Sequence, residues 1–484
     1  MDGPHHKSAV APDENRLEVS TPMLARDELD NLHDLTPDQV LSIFGSTNLY
    51  LLFIWAAMAN VWCLTAFPIM VSAFIMGEPC VIVNSTLPKA KCHPAEGTLA
   101  KEFNLTTDNS AIQQHFPTFI ADLKGRQPVL VWCLFAQSLL GCLSAFAPNI
   151  YLFILSRFLQ GVCTNGSGST PWVLAYESVP LKLRSYTAMV FGLFWVVGYC
   201  SLGPMAYFVR DWRHLIIVGT SPMLLFSVLY YLTIPESLHY LVSRGKQKHV
   251  ARWLTKANTF ATLTGSAKMT DYQVEHFSQN ICEKLAQKTM KENQLGRASK
   301  YGLFHELLTN RRLLLYTLVL VYLWTCDNFV YYGLSLFSTQ LAGNRYINFM
   351  LMGAVEIPSY LVSPALLDRL GRRTFVSLCH LLAAVSFFTI LFTDNNPGVS
   401  LSMWLLGKFA ISCAFTCLFV YASEVFPTVS RNGCIGICSV VGNLGGVFAP
   451  TVRSMSLISP MLPLLFFGVS AAMGGLLTLL LPEL

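Results

Sequence analysis

Apolar runs of about twenty residues, each enough to cross ~30 Å of hydrocarbon as a helix, recur along this 484-residue chain. They lie near 49–76, 128–147, 150–176, 187–208 and 214–234, and again near 313–337, 348–367, 374–393, 400–422, 434–452 and 460–481. Apolar positions within them run continuously rather than alternating, which excludes the two-residue period of a membrane barrel. A backbone in lipid must satisfy its own polar groups, so these runs are predicted to be transmembrane helices. Residues 1–40 are polar, with charges of both signs and no signal-peptide core. A polar stretch at 77–121 follows the first span. A longer one at 235–312, rich in Lys and Arg, separates five spans from six.

The two sets of spans carry matched landmarks. Asp122-Leu123-Lys124-Gly125-Arg126 is similar to Asp368-Arg369-Leu370-Gly371-Arg372. Glu177 precedes Arg184 by seven residues, as Glu424 precedes Arg431. From Asp122 to Glu177 is 55 residues and from Asp368 to Glu424 is 56; from Glu177 to Pro235 and from Glu424 to Pro482 are both 58. Four landmarks in one order at nearly equal spacing point to a duplicated helical bundle, whose substrate site is expected near the midplane between halves. Asp122, Gly125, Arg126, Glu177, Arg184, Glu236, Asp368, Gly371, Arg372, Glu424 and Arg431 are candidate gate residues. They are expected to pair across the bundles in one state and part in the other. Simple anchoring of the topology by positive charge is the alternative.

Composition sharpens this picture. The chain is 53% hydrophobic and 13% charged, with mean hydropathy +0.47. The net charge of +5 gathers between spans, a positive-inside bias rather than a nucleic-acid surface. Most of the fourteen cysteines lie in apolar runs and show no zinc-like spacing. Cys80 and Cys92 share the 77–121 loop with the acceptor triplets starting at Asn84 and Asn104, as expected of a glycosylated extracellular loop with a possible disulfide. No nucleophile–base pair, phosphate loop or metal cluster is legible, so neither an enzyme nor a cofactor or metal site is expected.

Ionisable groups inside a span are costly and point to function. Glu356, just before Pro358, and Asp327, one turn from Tyr331, would draw a cation toward the second half. Tyr331, Tyr332, Trp324 and Trp195 offer aromatic faces suited to a quaternary ammonium group. Arg157 and Lys408 stand in matching helices of the two halves, to receive an anionic group or to neutralise Glu356. Asp327 near the headgroups and a purely structural Glu356 pair are the bland alternatives.

Several segments resemble the major facilitator superfamily, and within it the organic cation, carnitine and organic anion transporters of solute carrier family 22. They are Ser156-Arg157-Phe158-Leu159-Gln160-Gly161, Ile234-Pro235-Glu236-Ser237, Tyr331-Tyr332-Gly333-Leu334-Ser335-Leu336, Ala354-Val355-Glu356-Ile357-Pro358 and Glu424-Val425-Phe426-Pro427-Thr428. The resemblance covers about residues 40 to 484 and implies an all-α polytopic membrane protein of two pseudo-symmetric six-helix bundles. Its parts would be a cytoplasmic segment 1–47, an N-terminal bundle 48–234, a cytoplasmic linker 235–312 and a C-terminal bundle 313–484. The second of the twelve spans is short and polar here, at 109–121. Asn443 stands where cation carriers of the family tend to have an acid and anion or carnitine carriers an arginine nearby.

The expected function is rocker-switch transport of small organic cations or zwitterions, carnitine-like, across the plasma membrane. Organic anion exchange is the second reading, and a non-transporting or truncated membrane protein the third. The expected partners are a small organic ion and membrane lipid, without nucleic acid. If 109–121 crosses, Asn84→Gln and Asn104→Gln should each remove a glycan, while a cysteine placed beside Arg126 should be labelled only from the cytoplasmic side. Labelling of both positions from one side would reject a twelve-span topology.

Overall fold

The computed structural model describes residues 36–75, 125–265, 268–271, 273–279, 310–393, 396–426 and 431–483. Among the described residues there is no strand. The first half holds α1 (Pro37–Phe44), α2 (Leu49–Met70), α3 (Arg126–Ala145), α4 (Ile150–Ser178), α5 (Leu181–Phe208) and α6 (Trp212–Thr233). Two linker helices follow, α7 (Leu238–Ser243) and α8 (Gln247–Thr264). The second half holds α9 (Arg311–Phe337), α10 (Arg345–Ala354), α11 (Glu356–Leu370), α12 (Arg372–Phe392), α13 (Pro397–Val425), α14 (Arg431–Phe448), α15 (Thr451–Ile458) and α16 (Met461–Thr478). Ten spans among the described residues are long and apolar enough to cross a membrane. The eleventh predicted span is α4, which has the length, 29 residues, but is interrupted by Arg157, Gln160 and Asn165.

Local chemistry sets where these helices start. Asn48, Asn149, Asp211, Asn310, Asn344 and Asn396 each precede an apolar run and accept a hydrogen bond from a backbone N–H of the first turn. Such caps satisfy donors that lipid cannot. The predicted span at 348–367 is divided in the structure, with Val355 between α10 and α11. Pro358 is the cause, because it has no N–H to offer the Ala354 carbonyl four residues back. The break leaves Glu356 in the first turn of α11, where the helix dipole favours a carboxylate.

The packing repeats between halves. In the first, α2 packs on α4 and α5, and α3 on α4 and α6. In the second, α9 packs on α13 and α14, and α12 on α13 and α16. The same pairings at corresponding positions are what a duplicated bundle would produce. Contact between halves runs mainly through α5 against α10 and α11. Glycines from both sides permit it. A Cβ at Gly192 would lie 2.7 Å from the Tyr360 ring, and one at Gly203 would lie 2.6 Å from Met350 Cγ.

The apolar cores are not symmetric end to end. At the end remote from the linker, one core joins both halves, from Phe67, Tyr199 and Leu202 to Phe349, Met352 and Phe387. At the linker end the halves keep separate cores, one around Leu130, Leu174 and Trp253 and one around Leu320, Leu418 and Phe426. Aromatic rings clamp the joined end: Tyr199 stacks on Phe349 at 4.4 Å, Phe74 on Tyr346 at 5.6 Å, and Tyr207 meets Tyr346 edge-on at 5.5 Å. The linker is anchored as well, since Trp253 packs edge-on against Phe44 and Tyr50, and Asn48 donates to the Ala257 carbonyl at 3.1 Å.

The positions predicted in the 77–121 loop, with Asn84, Asn104, Cys80 and Cys92, lie outside the described residues, as do Asp122 and the Arg431 side chain. Within the second half, a Cβ at Gly445 would collide with the backbone of Thr325 and Phe329 on α9. Backbone cannot swing aside as a side chain can. Gly445→Val should therefore destabilise the chain by about 1–3 kcal/mol, seen as earlier thermal aggregation in detergent, whereas Gly436→Ala, which meets nothing within 4 Å, should be neutral.

Candidate functional site

Two opposite charges meet where the halves join. Lys408 of α13 and Glu356 of α11 are wholly buried, with Nζ 3.0 Å from Oε1. Lys408 also donates to Ser335 Oγ at 2.8 Å and to the Tyr331 carbonyl at 3.3 Å. Its ammonium stands 3.0 Å from the centroid of the Tyr331 ring and 5.8 Å from that of Tyr199. The other carboxylate oxygen of Glu356 accepts from Tyr360 Oη at 3.3 Å. From the first half, Trp195 Nε1 donates to Tyr331 Oη at 2.8 Å. Nζ stands at ion-pair distance from Oε1 but out of line for a hydrogen bond, so the pair is held by charge, by the bonds Lys408 gives Ser335 and Tyr331, and by the one Tyr360 gives the other oxygen.

The pairing of Glu356 with Lys408 was one of two partners expected for it; Arg157 is elsewhere. Arg157 donates to Gln160 Oε1 at 2.7 Å and to the Pro68 carbonyl at 2.8 Å, tying α4 to α2. Asn443 is half-buried on α14, next to Gly442, which packs on Trp324. Tyr332 meets Tyr331 edge-on at 5.2 Å. Tyr199, Tyr360 and Ser335 join the site without having been expected. The last two had a signal, for each lies four residues from a residue already singled out, Glu356 and Tyr331, and so shares its face.

Asp327 is not near the headgroups. It is wholly buried beyond the middle of α9 and turns away from Glu356 to meet His380 of α12, Nε2 to Oδ1 3.0 Å. The approach is at ion-pair distance but out of line for a hydrogen bond. The sequence offered His380 only as a lone polar residue in an apolar span.

In this structure the matched landmarks pair within each bundle. Arg126 of α3 meets Glu177 of α4 at 3.3 Å, and Arg372 of α12 meets Glu424 of α13 at 2.9 Å. Asp368 lies 3.8 Å from Arg372. Helix ends already adjacent in one bundle offer the shortest route between charges. Gly125 and Gly371 both adopt positive φ, +114° and +79°, and a Cβ on either would run into Glu236 or Glu483 respectively. Glu236 accepts from the backbone N–H of Arg126 at 2.9 Å and of Gln127 at 3.3 Å, capping α3. Burial pushes its carboxyl above the usual carboxylate range, against the lowering effect of three backbone donors. Ser237 donates to Glu177, whereas Arg184 turns to Asp38 at 2.5 Å, pinning α1 to the bundle together with His239, 3.0 Å from the same oxygen.

Comparison with known proteins agrees with this geometry. A family model described as Major Facilitator Superfamily matches residues 114–450. The Caenorhabditis elegans protein named Putative transporter B0252.3 is 34% identical over 94% of this chain and 90% of its own length. A Drosophila melanogaster organic cation transporter protein is 32% identical, over 75% of this chain and 65% of its own. A Xenopus laevis solute carrier family 22 member 15-like protein is 30% identical, over 75% and 72%. Among solved structures, the partially occluded inward-open xylose transporter XylE from E. coli superposes with a TM-score of 0.61 at 16% identity, over 88% of this chain and 96% of that one. That likeness speaks to the fold alone.

If Glu356 and Lys408 neutralise each other, removing either should cost about 3–5 kcal/mol by stranding a buried charge. Glu356→Gln and Lys408→Met should each lower the thermal midpoint of the purified chain, and the double variant should recover most of the loss. Additive losses in the double variant would show that the two side chains act independently.

Proposed function

Because the chain belongs to the major facilitator superfamily, and within it to the organic-ion transporters of solute carrier family 22, we propose that it carries small zwitterions bearing an ammonium and a carboxylate, carnitine-like in charge, by alternating access. The observation that carries this reading is the buried Glu356–Lys408 pair ringed by Trp195, Tyr199, Tyr331 and Tyr360. A site with one charge of each sign is neutral as a whole. A lone organic cation at Glu356 would displace Lys408 and leave its ammonium buried without a carboxylate. A lone anion at Lys408 would strand Glu356. A zwitterion exchanges both partners at once: its ammonium takes the carboxylate of Glu356, and its carboxylate takes the ammonium of Lys408. Every charge stays paired throughout, which a low-dielectric site requires.

The aromatic rings extend the match. An alkylated ammonium gains from the faces of Tyr and Trp without asking for hydrogen bonds, by roughly 0.5–2 kcal/mol per face. Trp195 belongs to the first half and Tyr331 to the second, so their hydrogen bond closes over the site from both sides. Joined cores at one end and separate cores at the other support a state closed away from the linker. With the linker in the cytoplasm, that is an inward-facing state. Return to the outward state would part Tyr199 from Phe349 and Tyr207 from Tyr346, and bring the linker ends together.

An uptake panel tests the reading, with carnitine, tetraethylammonium and an aromatic carboxylate offered to cells expressing the chain. Carnitine should enter, and Glu356→Gln and Lys408→Met should each cut its uptake at least about tenfold, the equivalent of one lost buried charge contact. Entry of tetraethylammonium alone, indifferent to Lys408→Met, would make the chain a simple cation carrier. Entry of the carboxylate alone, indifferent to Glu356→Gln, would make it an anion exchanger. Failure of all three at normal surface expression would count against the zwitterion reading and favour a non-transporting protein.

A further inference from the structure

We infer that Asp327 and His380 form a proton-binding site in the C-terminal bundle, and that the proton it holds crosses with the substrate. The second part rests on the transport reading above; the first does not.

The hydrogen count at the pair leads to this. His380 Nδ1 lies 2.9 Å from the Val376 carbonyl, one turn back on α12. A carbonyl only accepts, so Nδ1 carries a hydrogen. In a neutral imidazole Nε2 is then a bare acceptor. It lies 3.0 Å from Asp327 Oδ1, out of line for a hydrogen bond as the two side chains stand, and both residues are wholly buried. A neutral imidazole beside an ionised carboxylate would set two lone pairs against each other. The pair therefore holds one further proton, either as imidazolium with carboxylate or as imidazole with carboxylic acid.

Cys326 Sγ shares the site, within 4.8 Å of the Asp327 and His380 ligand atoms, so a metal ion is the alternative to that proton that the zinc and chelator arm below tests. On α9 the neighbours are Cys326 and Tyr322, on α12 Cys379, and on α13 Cys413 and Cys417. From α16 come the neutral Ser470 and Gly474, the latter against the imidazole ring. From α14, Gly442 packs on Trp324 and its carbonyl accepts from Asn328. His380 is the charged group that acts on Asp327. Should the proton leave while the helices stay packed, the carboxylate would remain in the membrane interior with no donor, a state that costs several kcal/mol. Loss of the proton thus requires water to reach the pair, and so a different packing of α9 and α12 against α16.

The pair also has a mechanical link to the substrate site. Asp327 stands one turn from Tyr331 on α9, a helix continuous from Arg311 to Phe337. Tyr331 supplies the carbonyl and ring that hold Lys408, and the hydroxyl that takes Trp195. A substrate that draws Lys408 away changes what holds α9 at one turn, and the proton changes what holds it at the next. A neutral zwitterion accompanied by one proton moves one positive charge.

Two measurements separate the claims. In the first, histidine-labelled protein in nanodiscs is compared by nitrogen NMR with His380→Gln to assign the His380 ring. An Nδ1-protonated ring whose Nε2 shares a proton with a carboxylate is expected, and that signature should vanish in Asp327→Asn. An Nε2 resonance indifferent to Asp327→Asn, or one that responds to zinc and chelator instead, would overturn the proton site whatever the substrate. In the second, proteoliposomes are loaded for carnitine counterflow and for uptake under an imposed proton gradient. Wild type should accumulate carnitine up to about tenfold per unit of pH gradient, the ceiling for one proton per substrate, and should respond to membrane potential. The double variant Asp327→Asn with His380→Gln, which removes both members and strands neither, should keep counterflow and lose both responses. Counterflow without any effect of the proton gradient in wild type would overturn the coupling. Absence of counterflow in wild type would instead strike the zwitterion reading, leaving the NMR result to stand alone.

Discussion

A full charge inside the membrane interior must never be left alone, and the second half of this chain is built around that constraint. Glu356 and Lys408 are both inaccessible to water, on helices that approach from different parts of the bundle. Three features of the fold serve their meeting. Pro358 breaks the span at Val355, which puts Glu356 at a helix start rather than in mid-helix. The face of α9 carrying Tyr331 and Ser335 supplies the ring, carbonyl and hydroxyl that Lys408 needs beyond one carboxylate. Glycines at the α5 interface let Tyr199 and Trp195 of the other half close over the pair.

The duplicated architecture and the charge site are organised differently. Scaffold features obey the repeat: the packing pairs of helices match, and Glu236 and Glu483 occupy the same place beside Gly125 and Gly371. The wholly buried charges among the described residues do not. Glu356, Lys408, Asp327 and His380 all belong to the second half, and the first contributes aromatic rings. Arg157, at the position matching Lys408, holds α4 against the Pro68 carbonyl in the last turn of α2. A substrate would thus take its charge contacts from one bundle and lie against the rings of the other. Rocking of one bundle against the other can then expose the site without separating the charges that define it.

What was legible in the sequence follows from the range of each interaction. Helix positions depend on neighbours within a turn, so apolar runs announced them. The duplication was legible because matching spacings survive even where residues differ. Partners across helices were harder. Glu356 and Lys408 are 52 positions apart, and only the rule that intramembrane charges need partners brought them together in advance. The same rule failed for Asp327, because His380 sits in a run that reads as lipid-facing until α9 and α12 are placed around α16. For the gate residues the sequence showed the correspondence but not the partners met in this state. Matching landmarks show which loops correspond, but an arginine at a helix end pairs with the nearest acid, and here that acid is on the adjacent helix of its own bundle.

The pairs inside each bundle bear on how such a bundle can move. Ion pairs across the two halves would have to break in every cycle, each with loss of its Coulombic attraction, and be desolvated again on re-forming. Pairs such as Arg126 with Glu177 and Arg372 with Glu424 brace each bundle internally and can persist through a rigid-body rotation. In the alternating access proposed above, the surfaces that part are then the aromatic contacts at the joined end, Tyr199 on Phe349 and Tyr207 on Tyr346. Stacked rings part more cheaply than buried ions, since no charge is left unpaired, and their faces can be rehydrated or covered by substrate. The division of labour is therefore physical: charges hold what must stay rigid or must recognise, and rings close what must open.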